Sequence, residues 1–524
     1  MKMDFSWIMQ LLAQSYGDQL ALVNVERNRR FSYKELHLVT NRIANMLRDT
    51  LQVKSGDKLL SILDNDNLSL MHLAASFKQE GTLVFTNYRD SLEEHTWQVE
   101  LIKPRVVFLE TANLDRYYDM LRLHGCQIIV MDSIVEPREG VHDFWALLET
   151  SSSANTNVEL DTHDHLALMR FTGGTTGRGK CAMYSMDNLL STCDSVFTHS
   201  EFGISKHTRF LHFAPLSHGS MLFYLATLFA GGTTYTQNLP DLVQWRRVVE
   251  SEGITHSFLV PTLLYRLLDM QRSDPRDLSS LKTIVYGAAP MSPTKLSDLV
   301  ECFGSIFVQG YAATELVMFI STLSKYDHRT DNETSIRRLS SAGRVSPGVA
   351  VYIVDETGRP LPLGETGEIM IRCRGVIKGY YQNPEGNAEF VNGAWKSGDL
   401  GYIDDDGYLF IVDRKKDMII SGGFNIYAVE VEAALASHPA VLMSAVVGIP
   451  HEEWGEAVHA EVVLRSGCQS TVEELIEHVK NKLGRYKAPK SISLVDQLPV
   501  STVGKVIRRI VKDKYWRNSG RKVN

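Results

Sequence analysis

The chain has 524 residues, 44% of them hydrophobic and 22% charged, so it is long enough for at least two domains with ordinary cores. Its net charge of −7 gives no basic excess for binding nucleic acid or an anionic membrane. Its six cysteines are widely spaced, as in proteins with reduced thiols, and no long uncharged run or secretion signal is present. We therefore expect a cytoplasmic protein with no membrane insertion and no nucleic-acid partner.

The first 150 residues alternate between strand and helix patterns. Ser32-Tyr-Lys-Glu35 is a capping box that opens an amphipathic helix. Further helices are expected between short apolar runs that predict strands at Leu59–Leu63, Thr82–Phe85, Val106–Leu109 and Gln127–Met131. This order predicts an α/β fold with a mostly parallel, doubly wound sheet.

The stretch Phe171-Thr-Gly-Gly-Thr-Thr-Gly-Arg-Gly-Lys180 follows an apolar run that predicts a buried strand. Glycine N–H groups, threonine hydroxyls and one lysine can converge on an anion, which is the chemistry of a polyphosphate site. The candidate phosphate-binding residues are Thr172, Gly174, Thr175, Thr176 and Lys180.

Three interpretations of this loop are open. Gly174 to Lys180 has the spacing of a Walker A loop, but Cys181 stands where that motif has Ser or Thr. A Walker loop also leads directly into a helix, whereas the next helix is expected near Asp187, a suitable N-cap. A flexible surface loop would not need the lysine. We favour a phosphate loop of a different architecture.

Strands and helices continue to alternate as far as the strand predicted at Thr283–Tyr286, and from about Gly343 the pattern changes. Period-two runs at Val349–Val354, Glu368–Arg372 and Tyr408–Val412 predict an antiparallel, barrel-like subdomain. A last α+β unit begins near Arg414, with a helix predicted at Ala428–Ala436 and a capping box at Thr471-Val-Glu-Glu474. We therefore predict a large domain over residues 1–413 and a small, mobile domain over residues 414–524.

Four further stretches are unusually polar or rich in glycine. Gly310-Tyr-Ala-Ala-Thr-Glu315 follows a strand and offers an aromatic ring and a carboxylate, unless it is a strand–helix turn capped by Thr314. Asp399 follows Ser397-Gly398 and can hold sugar hydroxyls, or the stretch is only a turn. The remaining two are the charged run Asp413-Arg-Lys-Lys-Asp417, which can equally be a solvated face, and Val500–Arg509, where Lys505 follows a glycine turn that can be structural only.

In this order and spacing, the five stretches resemble those of the adenylate-forming superfamily, which contains acyl- and aryl-CoA ligases, adenylation domains that load carrier proteins, and beetle luciferases. The resemblance runs from the Ser32 capping box to Lys505. It implies a two-step reaction that uses ATP, Mg²⁺ and coenzyme A. A carboxylate attacks the α-phosphate of ATP to give an acyl adenylate and pyrophosphate, and a thiol then displaces AMP after the small domain has rotated.

The resemblance also implies roles for individual residues. The loop threonines and Lys180 would hold the β- and γ-phosphates, Tyr311 would stack on adenine, and Asp399 and Arg414 would bind the ribose. Thr314 and Lys505 would act at the reacting carboxylate and α-phosphate, Lys505 by electrostatic stabilisation.

Three further assignments follow from the same resemblance. Glu315 would bind Mg²⁺, Lys416 would lie at the hinge, and Gly422 and Gly423 would line the tunnel for the thiol arm of CoA. The loop departs from the family's usual Ser-Gly-Thr-Thr-Gly-x-Pro-Lys-Gly at Gly173, Gly179 and Cys181, so it has fewer hydroxyls and is expected to bind phosphate less tightly.

The acid substrate is less well defined by the sequence. Amino-acid-loading members of the superfamily hold the substrate ammonium with an aspartate, and the matching stretch His212–Ser220 contains none, so the resemblance implies that the substrate is not an α-amino acid. His218 lies where the family has an aromatic residue or histidine that gates the acid pocket, so the resemblance implies a gate, and an ordinary structural histidine at a strand–helix turn is the alternative. The small residues Gly287-Ala-Ala289 favour an aryl or medium to long acyl acid, and Gly287 is also counted as cofactor-binding. The other candidate wall residues are Phe213, Val260, Tyr286 and Ala288.

CoA is the favoured acceptor, because residues 419–426 and 485–490 resemble those of acyl-CoA ligases. The main alternative is a stand-alone adenylation enzyme with a carrier protein as its partner. A luciferase-like oxygenase and a catalytically silent acyl-nucleotide-binding protein are more remote. The sequence leaves open whether the protein is a monomer or a homodimer.

Overall fold

The first sheet of the N-terminal region has seven strands, and its pairings are parallel except at one edge. The computed structural model describes residues 1–132, 136–172, 179–289, 291–465, 467–500 and 506–516. In spatial order the strands are Cys181–Ser185, Leu166–Phe171, Thr82–Phe85, Lys58–Ile62, Val106–Leu109, Gln127–Val130 and Val141–Asp143. The antiparallel exception is the hairpin that joins Leu166–Phe171 to Cys181–Ser185.

The second sheet has nine strands, parallel in the centre and antiparallel towards both edges. In spatial order they are Arg344–Val345, Leu316–Leu323, Phe307–Ala313, Thr283–Gly287, His256–Leu259, Arg209–His212, Thr233–Thr236, Leu20–Asn24 and Arg29–Ser32. A separate two-stranded pair joins Lys2–Met3 to Leu160–Asp161.

The largest apolar cluster lies between the two sheets. Helix Asn65–Phe77 is buried along its whole length there, and the cluster takes Phe85 and Leu168 from the first sheet and Phe210 and Phe258 from the second. A second cluster, which contains Trp245, takes the alternate residues of the second sheet. Helices therefore cover both faces, and the predicted doubly wound architecture is confirmed.

Local capping signals place several helices where the sequence predicts them. The capping boxes at Ser32 with Glu35 and at Thr471 with Glu474 are both formed. In the described ranges, no helix combines the length and apolarity that crossing a bilayer requires. The α-helices are Phe5–Tyr16, Tyr33–Asn45, Asn65–Phe77, Leu92–Ile102, Leu114–Leu123, Phe144–Glu149, Met186–Thr198, Tyr224–Phe229, Leu242–Glu252, Pro261–Ser273, Pro293–Phe303, Glu333–Arg338, Pro384–Asn387, Ala428–Ala436, Val472–Leu483 and Arg508–Trp516.

Two smaller sheets follow along the chain. The third is antiparallel, as predicted, and its strands are Ala350–Val354, Gly367–Arg372, Phe390–Val391, Ala394–Ile403 and Leu409–Arg414. The fourth belongs to a small C-terminal α+β domain, and its strands are Ile419–Ser421, Phe424–Ile426, Val441–His451, Gly455–Leu464 and Ser491–Leu494. All six cysteines are free.

Candidate active site

The predicted phosphate loop connects two antiparallel strands. The Thr172 N–H donates to the Lys180 carbonyl at 2.8 Å, and the Lys180 N–H donates to the Thr172 hydroxyl at 2.9 Å. The chain continues after Lys180 as a strand, and the next helix has Ser185 as its N-cap rather than the predicted Asp187. A Walker A loop, which enters a helix at once, is therefore excluded. Gly174, Thr175 and Thr176 lie outside the described residues.

Lys180 and Glu315 share a neighbour, Tyr380, that was not predicted from the sequence. The Lys180 ammonium lies 2.5 Å from Glu389 Oε1 and 4.6 Å from the centre of the Tyr380 ring. The Tyr380 hydroxyl donates to Glu315 Oε1 at 2.6 Å and lies 3.2 Å from Glu389 Oε2. The paired tyrosines before a polar turn, Gly379-Tyr-Tyr-Gln-Asn-Pro384, were the available sequence signal.

Three residues from separate motifs meet at the end of the second sheet. The Tyr311 hydroxyl donates to Asp399 Oδ2 at 2.5 Å, and Arg414 Nε lies 3.5 Å from Asp399 Oδ1. Asp399 and Arg414 face each other across two strands of the third sheet. Burial raises the pKa of Tyr311 well above its usual value, and the Asp399 charge acts in the same direction. The structure thus brings the predicted adenine and ribose residues together.

The stretch around Thr314 is a turn between antiparallel strands, so the alternative of a strand–helix turn is wrong. The carbonyl oxygen of Thr314 accepts a hydrogen bond from the Tyr184 hydroxyl at 2.6 Å. Gly287 pairs with Gly310 on the neighbouring strand, and a Cβ on Gly287 would lie 2.3 Å from the Gly310 carbonyl oxygen. The absence of a side chain at Gly287 therefore allows this close approach beside Tyr311.

Lys416, in the segment between the third and fourth sheets, lies near the charged side chains of Asp399, Arg414 and Lys180. Burial lowers the pKa of Lys416, and the charges of Arg414 and Lys180 act in the same direction, while Asp399 opposes them. One guanidinium nitrogen of Arg508 lies 3.4 Å from both Asp413 Oδ1 and Asp417 Oδ2, which ties the last helix to this segment. Lys505 lies outside the described residues.

Gly422 and Gly423 form the turn of a hairpin between Ile419–Ser421 and Phe424–Ile426. Their φ angles are +57° and +82°, the left-handed region that a two-residue type I′ turn requires at both positions. Phe424, beside the turn, is 60% exposed. The predicted tunnel residues therefore occupy an exposed edge of the small domain.

The predicted walls of the acid pocket do not share one surface. Phe213 and Tyr286 are buried in the cluster that contains Trp245, and the Tyr286 hydroxyl donates to His328 Nε2 at 2.9 Å. Val260 belongs to the cluster between the sheets. Ala288 is exposed, with φ +66°. The structure therefore places Phe213 and Tyr286 in the core rather than on a wall with Val260.

His218 lies on the loop that leads into the 3₁₀ turn Gly219–Phe223. Burial lowers the pKa of His218 to about 3, and the nearby charges of Arg170 and Arg89 act in the same direction. The imidazole is therefore neutral near pH 7, and its Nδ1 lies 3.0 Å from the Ser217 hydroxyl.

Glu315 is suited to a magnesium ion that arrives with a nucleotide. Mg²⁺ usually takes one or two carboxylates and completes its shell with phosphates and water. Tyr380 fixes one oxygen of Glu315, and Glu389 supplies a second carboxylate nearby. Within the described ranges, no group of three or more His, Cys, Asp or Glu residues could bind a metal by itself. The donors fit a site that is completed by the nucleotide.

Two family profiles match the chain. The profile described as AMP-binding enzyme matches residues 10–381, and that of the AMP-binding enzyme C-terminal domain matches residues 430–505. Neither match covers residues 382–429, in which the predicted domain boundary falls.

Curated proteins and solved structures give similar results. The medium/long-chain fatty-acid–CoA ligase FadD8 of Mycobacterium tuberculosis is 38% identical over 69% of this chain and 63% of its own length. The 2-succinylbenzoate–CoA ligase of Bacillus licheniformis is 31% identical over 96% of this chain and 98% of its own length. The crystal structure of ATP-bound MatB from Rhodopseudomonas palustris superposes with a TM-score of 0.87 at 27% identity, covering 98% of this chain and 99% of that one.

Proposed function

The chain belongs to the family of AMP-binding enzymes, and on that basis we propose that it is an AMP-forming acid–thiol ligase. In the first step a carboxylate attacks the α-phosphate of ATP and pyrophosphate leaves. In the second step the thiol of CoA attacks the acyl carbon of the adenylate and AMP leaves. The named activities of the two relatives, both CoA ligases, support CoA as acceptor.

The observation that carries the proposal is the contact of Tyr311 with Asp399, 88 residues later in the chain, with Arg414 beside them. An aromatic ring, a carboxylate and a guanidinium are the groups that hold a base and vicinal sugar hydroxyls. In this proposal Tyr311 stacks on adenine, while Asp399 and Arg414 bind the ribose.

The triphosphate would lie along the loop that starts at Thr172. Thr172, Gly174, Thr175 and Thr176 would donate to its oxygens, and Lys180 would exchange Glu389 for the β- and γ-phosphates. Glu315 would hold Mg²⁺, which supplies charge neutralisation on the phosphates.

The reacting carboxylate would lie near Thr314. Lys505 would stabilise the charge that develops between this carboxylate and the α-phosphate. The small domain, from residue 414 onward, would then turn about Lys416 and bring Gly422 and Gly423 to the cleft for the thiol.

The acid remains an aryl or medium to long acyl carboxylate in this proposal. Loading of a separate carrier protein stays the alternative acceptor route, and the cytoplasmic location and the oligomeric state stay predictions.

The test is pyrophosphate release with a panel of carboxylic acids, with and without CoA. The proposal requires acid-dependent pyrophosphate release and a CoA thioester as product. Hydroxamate formation without any CoA thioester would favour the carrier-loading alternative. A folded protein that releases no pyrophosphate with any acid would contradict the proposed function.

A further inference from the structure

Arg170 is a buried cation in the strand that leads to the phosphate loop. Its neighbours Met169 and Phe171 pack in the cluster on the outer face of the first sheet, whereas Leu168 packs between the two sheets. Because side chains alternate along a strand, Arg170 points into the space between the sheets. Its exposed fraction is only 7%.

No carboxylate oxygen in the described part of the chain lies within 4 Å of the Arg170 guanidinium. Its Cζ lies 5.4 Å from the centre of the Tyr184 ring, which is a cation–π contact. Arg246, the other arginine that is buried in the described ranges, is paired with Asp274 at 3.0 Å. A buried charge without a counter-ion is costly, so it indicates a group kept for a ligand.

Arg170 lies near residues that are proposed to act at the acid. Tyr184, which it contacts, donates to the carbonyl oxygen of Thr314 at 2.6 Å. The charges of Arg170 and Arg89 both lower the pKa of His218, the candidate gate of the acid pocket. Lys180, by contrast, forms an ion pair with Glu389 and a cation–π contact with Tyr380.

We propose that Arg170 binds an anionic group of the substrate other than the carboxylate that reacts. The substrate class is then the dicarboxylic acids, because a guanidinium fork matches a carboxylate with two parallel hydrogen bonds. A guanidinium clamped on the reacting carboxylate would reduce its nucleophilicity, so the second carboxylate is the better partner. This inference rests on the proposed function and names its substrate class.

The test compares each acid with its own monomethyl ester. Calorimetric titration of the full-length protein, with Mg²⁺ and a non-hydrolysable ATP analogue present, measures binding for medium to long aliphatic and benzene dicarboxylic acids. At least one dicarboxylic acid should bind roughly 10- to 100-fold more tightly than its monoester, the scale of hydrogen bonds to a charged group. Equal binding within every pair would overturn the inference.

Substitutions of Arg170 test whether this residue causes the preference for a dicarboxylic acid over its monomethyl ester. Arg170→Gln should remove the preference within a pair, and Arg170→Lys should restore part of it. Arg246→Gln, which removes an equally buried but paired guanidinium, should leave the preference unchanged. If Arg170→Gln weakens acid and monoester equally, or weakens only the ATP analogue, Arg170 holds the reacting carboxylate or a phosphate and the inference is wrong.

Stability gives an independent readout. Arg170→Met keeps the volume and removes the unpaired charge, so its melting temperature without ligand should equal or exceed that of the wild type. A clear fall would mean that Arg170 is structural and would overturn the inference. If a dicarboxylic acid binds with the expected preference but releases no pyrophosphate from ATP, the proposed function fails while the binding site stands.

Discussion

Asp399 is the residue on which the candidate nucleotide site converges. One carboxylate oxygen accepts from the Tyr311 hydroxyl, and the other faces Arg414. Its side chain is 14% exposed, so it is partly shielded from water but open enough to meet a ligand. An ionised carboxylate in such a place can accept two hydrogen bonds from a sugar edge.

Asp399→Asn should therefore weaken nucleotide binding by about 10- to 100-fold, because it replaces charge-assisted hydrogen bonds by neutral ones. Titration of the protein with AMP or with an ATP analogue measures the effect. Tyr311→Phe keeps the ring that would stack on adenine and loses only the hydroxyl, so its effect should be smaller, up to about tenfold. A larger loss in Tyr311→Phe than in Asp399→Asn would contradict these roles.

Among the elements, the strands Thr283–Gly287 and Phe307–Ala313 set the position of Tyr311. They run parallel, and Gly287 faces Gly310 where the strands approach most closely. The neighbouring atom that a Cβ would meet is a backbone oxygen, which cannot rotate away as a side chain can. The pair of glycines therefore fixes the strand spacing at the site.

Gly287→Ala should destabilise the protein by about 1–3 kcal/mol, the usual cost of overpacking, and should raise the KM for ATP by moving Tyr311. Denaturant unfolding and steady-state kinetics measure both effects. Gly219→Ala is the control, because a Cβ there would meet the Phe258 ring at an ordinary 3.5 Å. If both variants unfold at the same denaturant concentration as the wild type, the strand spacing does not depend on Gly287.

The hairpin at Gly422 and Gly423 is the element proposed for the thiol step. Gly423→Leu should slow thioester formation from a pre-made acyl adenylate and spare adenylate formation. Gly407→Leu is a matched control, because Gly407 has a similar φ of +81° and equally open surroundings. It carries the same backbone strain in a different turn, so an equal defect in the thiol step would place the tunnel elsewhere.

The extent to which the sequence predicted this structure depends on how local each signal is. The capping boxes at Ser32 and Thr471 and helix Ala428–Ala436 are set by neighbouring residues and were predicted correctly. The hairpin after Tyr311 was left open, because Leu316-Val-Met-Phe-Ile320 is a continuous apolar run and has no period that separates strand from helix.

The candidate site, too, could be predicted from the sequence only where the signal is local. The meeting of Tyr311, Asp399 and Arg414 was expected from the resemblance, since no spacing in the sequence specifies contacts over such separations. Tyr380 and Glu389 were missed because their role appears only when Lys180 is placed beside them. Residues 173–178 and Lys505 lie outside the described ranges, so their roles stay predictions.

At the scale of the whole molecule, an ionic cluster joins the two large sheets. Arg27, on the turn between two strands of the second sheet, pairs with Asp64 at 2.6 Å and with Glu110 at 2.7 Å, both beyond strand ends of the first sheet. Burial raises the pKa of Glu110 to about 7, the Asp64 charge acts in the same direction, and the Arg27 charge opposes both. Burial also raises the pKa of Asp66 to about 6.

These shifts predict how stability depends on pH. Between the ordinary pKa of 4.5 and about 7, the folded protein holds a proton on Glu110 that the unfolded chain has lost. The folded state then binds more protons, so the free energy of unfolding falls as pH rises through this range. Glu110→Gln should remove about 2–3 kcal/mol of that fall, measured by denaturant unfolding across the range.

Glu80→Gln, at an exposed position, is the control and should keep the wild-type slope. A Glu110→Gln protein whose stability falls with pH as steeply as the wild type would show that Glu110 does not carry the buried proton.

The most direct test of the central claim follows the oxygen atoms of the acid. The account requires carboxylate attack on the α-phosphate and then thiol attack on the acyl carbon, so one oxygen of the acid must leave with AMP. With a turned-over acid labelled with ¹⁸O in both carboxylate positions, mass spectrometry should find one ¹⁸O in the AMP phosphate and the other in the thioester carbonyl. Label in inorganic phosphate, with ADP as the nucleotide product, would contradict the account.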